Sequence, residues 1–318
     1  MPHFSTEEVE DAVSTAFSFR LPEVVDNVYL STPLFRLLDI EERIVAQGGT
    51  RIEAPFIYAK PPGGSYSGMD TLDITRRKTK SLIQLDWKQY YATVTIDGIT
   101  YLKAGGEEAI FDLCDVELQA AELRMKEDLG TDIFLDGTGN NSKALDGMDI
   151  AFGTSGTYGG ISRTTDTEGA AIKGVLDATG GPLTLPAVQS VWGSCTIGTE
   201  APKLIITTQA IFDAFWARLQ PQQRGAMGAD AEQLAAAGFN VITFNGRPVT
   251  VDQKCPSGMI YLVNTSFCKL IPFAQRADIE VEGPLTPTQH DARTWRLLWA
   301  GNFCVNSPRL NGRMSGIT

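Results

Sequence analysis

The run Gly48-Gly-Thr-Arg-Ile-Glu-Ala-Pro-Phe-Ile-Tyr-Ala and the later run Leu82-Ile-Gln-Leu-Asp-Trp-Lys decide how this chain is organised. In the first, Ile52, Ala54, Phe56 and Tyr58 recur at period two; in the second, Ile83, Leu85 and Trp87 alternate with Gln84, Asp86 and Lys88. Such alternation turns one face of a strand to a core and the other to water, so the two runs are expected to pair as a hairpin. Between them, Lys60 to Ser81 is rich in Pro, Gly, Ser and charge. Loops beyond about 12–15 residues without structure of their own are uncommon in compact domains unless they have a task. An isolated hairpin is marginally stable in water at best. The expectation is an arm that borrows its stability, with a second copy of the chain as the simplest support. Phe56, Tyr58 and Trp87 would hold the arm down by burial, and Gly48, Gly49, Gly63 and Gly64 would let it bend.

Downstream, Thr93-Val-Thr-Ile reads as strand and Asp97-Gly98 as a turn. A long helix follows over residues 107–135, with Glu107, Glu108 and Asp112 at its positive end. Ile110, Cys114, Leu118, Ala121, Met125 and Leu129 form its apolar stripe, while Glu117, Glu122 and Glu127 lie off that stripe. Asp136-Gly-Thr-Gly ends it. Upstream, Thr6-Glu-Glu-Val opens a capped helix, and Ser31-Thr-Pro-Leu-Phe restarts one with Pro33 early in it.

Residues 151–182 are Gly- and Thr-rich and read as loop. An α/β pattern follows: a helix near Pro186 to Trp192, a strand from Lys203, and a helix Gln209 to Leu219. Strands then run around 241–244, 249–252 and 259–263, and Asn245-Gly246 is a strong hairpin signal. The final run from Thr294 to Val305 reads as a strand that pairs back with an early element.

The totals exclude several classes. The chain has 318 residues, enough for about two domains, and no apolar run approaches the ~20 residues of a membrane helix. The start, Met1-Pro-His-Phe-Ser-Thr-Glu-Glu, lacks the basic and apolar regions of a signal peptide, so assembly in a cytoplasm is expected. Five scattered cysteines without a CxxC pair argue against a disulfide framework or a zinc site. A net charge of −11 argues against tight nucleic-acid binding, which rests on Lys and Arg neutralising phosphates. The charge is segregated. Residues 1–46 hold nine acids and three bases, and residues 107–136 hold ten acids and two bases. Residues 60–88 reverse the sign with six bases (Lys60, Arg76, Arg77, Lys78, Lys80, Lys88) against three acids. Opposed zones in one chain suit self-association, by steering and by fixing register.

Catalytic constellations are missing. There are two histidines, His3 and His290. Gly64-Ser-Tyr-Ser-Gly has Tyr66 where a nucleophile elbow needs serine. Asp136-Gly-Thr-Gly-Asn-Asn starts like a calcium loop but has Asn141 and Gly147 where the turn glycine and the bidentate glutamate belong. No P-loop occurs, and no GxGxxG follows a strand. No catalytic, metal or cofactor site is expected. A soluble hydrolase with an unrecognised site is the reading from a different class.

The order of parts resembles a tailed-bacteriophage major capsid protein of the HK97-fold family. The strings that carry the likeness are Gly48-Gly-Thr-Arg-Ile-Glu-Ala-Pro-Phe, Trp87-Lys-Gln-Tyr, Asp132-Ile-Phe-Leu-Asp-Gly-Thr-Gly, Gly246-Arg-Pro-Val-Thr-Val-Asp and Gly301-Asn-Phe-Cys-Val-Asn-Ser-Pro-Arg. The resemblance implies an α+β, HK97-like capsid fold. Its parts would be an N-terminal arm at 1–46, an extended hairpin loop at 47–100, and a peripheral domain at 101–183 with a spine helix at 107–135. An axial domain at 184–272 and C-terminal strands at 273–318 would follow. It implies pentamers and hexamers in an icosahedral phage head around double-stranded DNA, bound only weakly and non-specifically. Expected partners are the chain itself, a separate scaffolding protein, a portal and a decoration protein, with no membrane. The location would be the virion, assembled in the host cytoplasm. Some members cross-link a loop lysine to a neighbouring asparagine. Lys60, Lys78 and Lys80 lie in the loop, but the other partners have no match, so no cross-link is expected. An encapsulin-like compartment shares the fold and is the nearest alternative. The basic tip would find its acceptor in the acidic arm or the acidic helix of the next copy, with Glu117, Glu122 and Glu127 as the helix residues expected at the subunit contact.

Overall fold

The computed structural model describes residues 33–41, 43–103, 107–219, 242–286 and 290–318. The expected helix at Thr6, His3, and the Gln/Gly/Ala-rich segment 220–238 fall outside them. Helix α1 (Pro33–Glu41) starts at Pro33, as read from the sequence, and buries Leu34 and Leu38 completely. Strands β1 (Ile52–Ile57) and β2 (Lys80–Leu85) pair antiparallel with Ile52 opposite Leu85 and Ile57 opposite Lys80. The alternation holds: Ile52, Ala54, Ile83 and Leu85 are buried, and Glu53 and Pro55 are exposed.

Strand β3 (Lys88–Asp97) passes into helix α2 (Gly98–Lys103), where a simple turn was expected. Asp97 makes that helix start possible, because its carboxylate accepts the Thr100 N–H at 3.2 Å. Helix α3 (Glu107–Asp132) has 26 residues and spans roughly 39 Å. Its stripe packs as read: Met125 and Leu129 are buried, and Cys114, Leu118 and Ala121 lean on the same core. The helix stops at Asp132, three residues earlier than expected. The chain tightens there, with the N–H of Phe134 reaching back to Thr131 and that of Leu135 to Asp132. Ile133 and Phe134 still enter the core because the last turn winds tighter, which leaves Leu135 exposed.

Residues 151–182 carry more than loop. A small hairpin, β4 (Thr157–Tyr158) and β5 (Ile161–Ser162), is followed by β6 (Val175–Asp177). Buried Arg163 organises this region by donating to the carbonyls of Ile150, Ala151, Ser155 and Ile172 at 2.8–3.1 Å. The guanidinium also sits 5.3 Å from the Tyr158 ring centroid.

Helix α4 (Leu185–Cys195), β7 (Leu204–Thr207), α5 (Gln209–Leu219), β8 (Ile242–Phe244), β9 (Arg247–Val251) and β10 (Ile260–Val263) follow the sequence reading closely. Asn245 and Gly246 both take positive φ (50° and 74°), as a tight two-residue hairpin turn requires. The chain ends with β11 (Cys268–Pro272), β12 (Glu280–Leu285), β13 (Ala292–Val305) and β14 (Gly312–Met314).

Two larger sheets result. One has the order β6-β14-β10-β7-β9-β8. Its central strands, β7 and β10, are buried at every position because both faces are covered. Leu204 and Ile206 face the core shared with α1 and α3, while Ile205 faces the core under α4 and α5. In the other sheet, β13 pairs with β3 over ten residues, Ala292 to Gly301 against Asp97 to Lys88. The expected return of the C-terminal strand to an early element is therefore found. On its other side β13 carries β11 and β12. Buried Asn302 ties this sheet to the segment around Asp146 and to the β2–β3 connection: its side chain accepts from the Asp146 and Phe303 N–H groups and donates to the Asp86 carbonyl and the Asp146 carboxylate.

Candidate assembly surfaces

The root of the hairpin rests on its own chain. Ile83 lies against Gly159, where an added Cβ would come within 2.3 Å of the Ile83 Cγ2. The Gln84 N–H donates to the Gly159 carbonyl at 3.0 Å. Ser81 donates to Glu168 at 3.1 Å, and Lys78 pairs with the same carboxylate at 3.4 Å. The Glu168 carboxyl is held below its usual range, first by its own backbone N–H and then by Ser81. Phe56 is half-buried against the main core, 6.4 Å from the Tyr58 ring. Trp87 donates its indole N–H to the Gly49 carbonyl and packs edge-on against Phe273. This corrects the idea that the whole arm lacks a core: Ile52, Ala54, Ile83 and Leu85 supply one, and Trp87 makes its contacts within its own chain. The reason is that β4–β5 and the Phe273 segment, unseen from the hairpin's own sequence, come up beneath it.

Beyond the root the arm is bare. Between Gly63 and Lys78 every residue is exposed. Lys60, Arg76 and Lys80 point to solvent, and Arg77 pairs locally with Asp73 at 3.0 Å. The tip also carries apolar side chains that the sequence reading passed over. Met69 is fully exposed, Ile74 is 92% exposed, and Tyr66 and Leu72 are more than half exposed. Their signal was present in Thr71-Leu-Asp-Ile-Thr, which alternates at period two. Of the four glycines expected to let the arm bend, Gly48 (φ 156°) and Gly49 (φ 121°) occupy backbone conformations that side chains resist; Gly63 and Gly64 do not.

On α3, Glu117 is exposed, Glu122 pairs with Lys126 at 2.6 Å, and Glu127 pairs with Lys254. The tip bases and these acids are not brought together within the chain: the contact the tip makes is to Glu168. His290 is exposed, and Cys195, Cys255, Cys268 and Cys304 are buried free thiols, each pushed up by burial. Among the described residues, no group of three or more His, Cys, Asp or Glu side chains could hold a metal ion. No described helix is long and apolar enough to cross a membrane.

A second feature lies along β3. A groove of about 1210 Å³ runs beside residues 86–93, walled by Ala121, Arg124, Asp128 and Asp132 of α3 and closed by Asn140 to Ala144. Tyr90 anchors one wall, donating to Asp132 at 2.5 Å and accepting the Leu145 N–H at 2.9 Å. Desolvation raises the Asp132 carboxyl above its ordinary value.

No family model matches the sequence, and no curated protein matches it. Solved structures do match. The capsid asymmetric unit of cyanophage A-1(L) superposes with a TM-score of 0.70 at 16% identity, covering 95% of this chain and 97% of that one. The capsid of the native GTA particle gives 0.61 at 12% identity, with 95% of each chain covered. The SrpI encapsulin of Synechococcus elongatus PCC 7942 gives 0.62 at 11% identity, covering 99% of this chain and 96% of that one. Over nearly its whole length, this chain has the α+β, HK97-like fold of capsid shell proteins.

Proposed function

We propose that the chain is a major capsid protein that assembles into pentamers and hexamers of an icosahedral phage head enclosing double-stranded DNA. The observation that carries this reading is the capsid fold, matched across the length of the chain, combined with a hairpin tip that has no use within one subunit. In this reading residues 1–46 are the N-terminal arm, 47–100 the extended loop, and 101–183 the peripheral domain. Residues 184–272 are the axial domain, and 273–318 return to the peripheral domain. The basic tip reaches the acidic helix α3 of the next copy.

Head-to-tail contacts between identical subunits close into rings when the rotation permits. Obligate interfaces of this kind bury ~2,000 Å² or more. Exposed ion pairs contribute only about 0–1 kcal/mol each, so Tyr66, Met69, Leu72 and Ile74 supply the burial while the tip bases set register. A subunit of net charge −11 lines a DNA-filled shell without gripping its contents. A separate scaffolding protein, a portal and a decoration protein complete the assembly, which takes place in the host cytoplasm.

The encapsulin match supports a second reading, a protein compartment that encloses a protein cargo. Electron microscopy of the purified chain tests both. Closed shells are expected, and a chain that stays monomeric at high concentration would remove the proposal. Double-stranded DNA in particles from the native source supports a phage head; protein cargo supports the compartment.

A further inference from the structure

Arg163 is a buried cation without a counter-charge. A guanidinium carries five N–H donors. Here the Nε–H goes to the Ile172 carbonyl, the two Nη2 hydrogens to Ile150 and Ala151, and one Nη1 hydrogen to Ser155. The fifth, on Nη1, has no acceptor among the described residues, and no carboxylate there pairs with the group. The Tyr158 ring, 5.3 Å away, offers its π face but no negative charge. Burying an ion without a partner is costly, and burial holds the Arg163 guanidinium below its ordinary value.

The spare donor can be reached. Arg163 forms one wall of a pocket of about 250 Å³, and Gly153 stands beside it in the same lining. A Cβ on Gly153 would come within 3.3 Å of Nη1, so glycine keeps that approach open. The next wall is the turn Thr154-Ser155-Gly156, whose three N–H groups and two hydroxyls bond to no described residue. Successive main-chain N–H groups around a left-handed residue, here Gly156 at φ 76°, make concavities that suit anions. Arg313 of β14 brings a second cation to the pocket. It pairs with Asp149, but its Nε has no acceptor among the described residues, and burial lowers this guanidinium too. Two carboxylates also line the pocket. Asp149 is taken up by Arg313, and Asp136 is exposed at the solvent side, its Oδ1 accepting the Thr138 N–H and hydroxyl. The uncompensated charge at the buried end is therefore positive.

We propose that this pocket binds a small oxyanion of the phosphate or sulfate class, held by Arg163, Arg313 and the Thr154–Gly156 turn. A water molecule would answer the spare Nη1 hydrogen but not the charge; an oxyanion answers both, through charge-assisted hydrogen bonds. The walls belong to separate parts of the fold: the turn after α3 at Asp136, the approach to β4, and β14 of the six-stranded sheet. A bound anion therefore rivets the seat of the hairpin to that sheet. The site lies within one chain and does not depend on the assembly reading.

Inorganic phosphate titrated into the full chain tests the site, with chloride at matched ionic strength as the control. Calorimetry is expected to show saturable binding with a midpoint below about 10 mM. The melting temperature should climb with phosphate beyond the chloride control, and the amides of residues 154–156 should exchange more slowly. Arg163 itself is a poor probe, since its loss would orphan four carbonyls. Gly153→Ala places a methyl group beside Nη1, and Arg313→Gln removes the second cation while leaving Arg163 in place. Each is expected to weaken phosphate by about tenfold or more, the scale of one charge-assisted hydrogen bond. Should Gly153→Ala fail to fold, Arg313→Gln decides. No effect of phosphate beyond chloride would overturn the proposal. So would a midpoint above about 10 mM, which marks an adventitious ion only. Equal midpoints for the parent and the folded variants would place the binding elsewhere and overturn it as well.

Discussion

Trp87 donates its indole N–H to the carbonyl oxygen of Gly49 at 2.8 Å, and its ring meets Phe273 nearly perpendicular at 5.2 Å between centroids. One side chain thereby ties the glycine pair where the hairpin leaves the body to the strand by which it returns. Gly49 is held at φ 121°, so the exit angle of the arm is set by a backbone conformation and locked by a side chain on the opposite limb.

Trp87→Ala removes the ring contact and the hydrogen bond together. Because the indole is half-buried, the expected loss is about 2–3 kcal/mol, below the range for a fully buried tryptophan. Urea denaturation measures it. Trp87→Phe keeps most of the edge contact and should cost about 1 kcal/mol, which separates packing from the hydrogen bond.

Gly159 is the seat of the hairpin. It has φ 57°, and a Cβ there would lie 2.3 Å from the Ile83 Cγ2 and 3.1 Å from the Gln84 nitrogen. Gly159→Ala therefore pushes β2 off the β4–β5 turn at an expected cost of about 1–3 kcal/mol. Proteolysis should report it first, as faster cleavage between residues 60 and 79 with the rest of the chain intact.

The hairpin, the spine helix and the return of the last strand were legible because each writes its period over many residues. Ile52 to Tyr58 alternate, Cys114 to Leu129 recur every three to four, and Thr294 to Val305 is too apolar for an edge. The Asn245-Gly246 turn was legible because its conformation admits few residues. What hid was whatever depended on a distant partner. Arg163 looks like a surface cation in its sequence context, yet it is 2% exposed because four carbonyls from separate segments, Ile150, Ala151, Ser155 and Ile172, converge on it. Nothing between Lys60 and Lys88 announces that Glu168 and Gly159 will lie beneath. The tip charges were read and its apolar residues were not, since Leu72 and Ile74 alternate over too short a stretch to stand out from the polar run around them.

Asp252 gives the subunit a pH dependence. Its side chain is 1% exposed, its Oδ1 accepts the Lys254 N–H at 2.9 Å, and the Leu34 N–H at the start of α1 also bonds the carboxylate. Its Oδ2 has no partner among the described residues. Lys254 is the nearby cation, itself paired with Glu127 of α3, and the Cys255 thiol lies alongside. Burial pushes the carboxyl up to about 7, with the two backbone N–H groups and Lys254 only partly offsetting it. The folded chain therefore holds a proton that the unfolded chain releases above about pH 4. Stability falls as pH rises from about 4 to about 7 and is level, as far as this group goes, above that. Asp252→Asn keeps an acceptor for both N–H groups and carries no charge. Thermal unfolding across pH 4–9 should show the slope flattened and the variant more stable at pH 8 by roughly 2 kcal/mol or more, each pH unit being worth about 1.4 kcal/mol. Equal slopes for the two proteins would place the titration elsewhere.

The basic tip should matter for association and hardly at all for folding. Arg76, Arg77, Lys78 and Lys80 are all exposed, and their pairs with Asp73 and Glu168 are surface contacts. Changing all four to Glu is expected to shift subunit stability by no more than about 1 kcal/mol, since exposed substitutions away from caps and cores seldom do more. The same change reverses the sign of the segment that, in the proposed assembly, meets acidic residues of the next copy, where like charges across an interface cost affinity and slow encounter. Light scattering at about 0.15 M salt should show assembly reduced at least tenfold with the melting temperature held. Because the Debye length shrinks from about 8 Å to about 3 Å between 0.15 M and 1 M salt, raising salt should narrow the gap between variant and parent. A quadruple variant that assembles like the parent at low salt would leave the tip's charge without a part in holding neighbouring subunits in register.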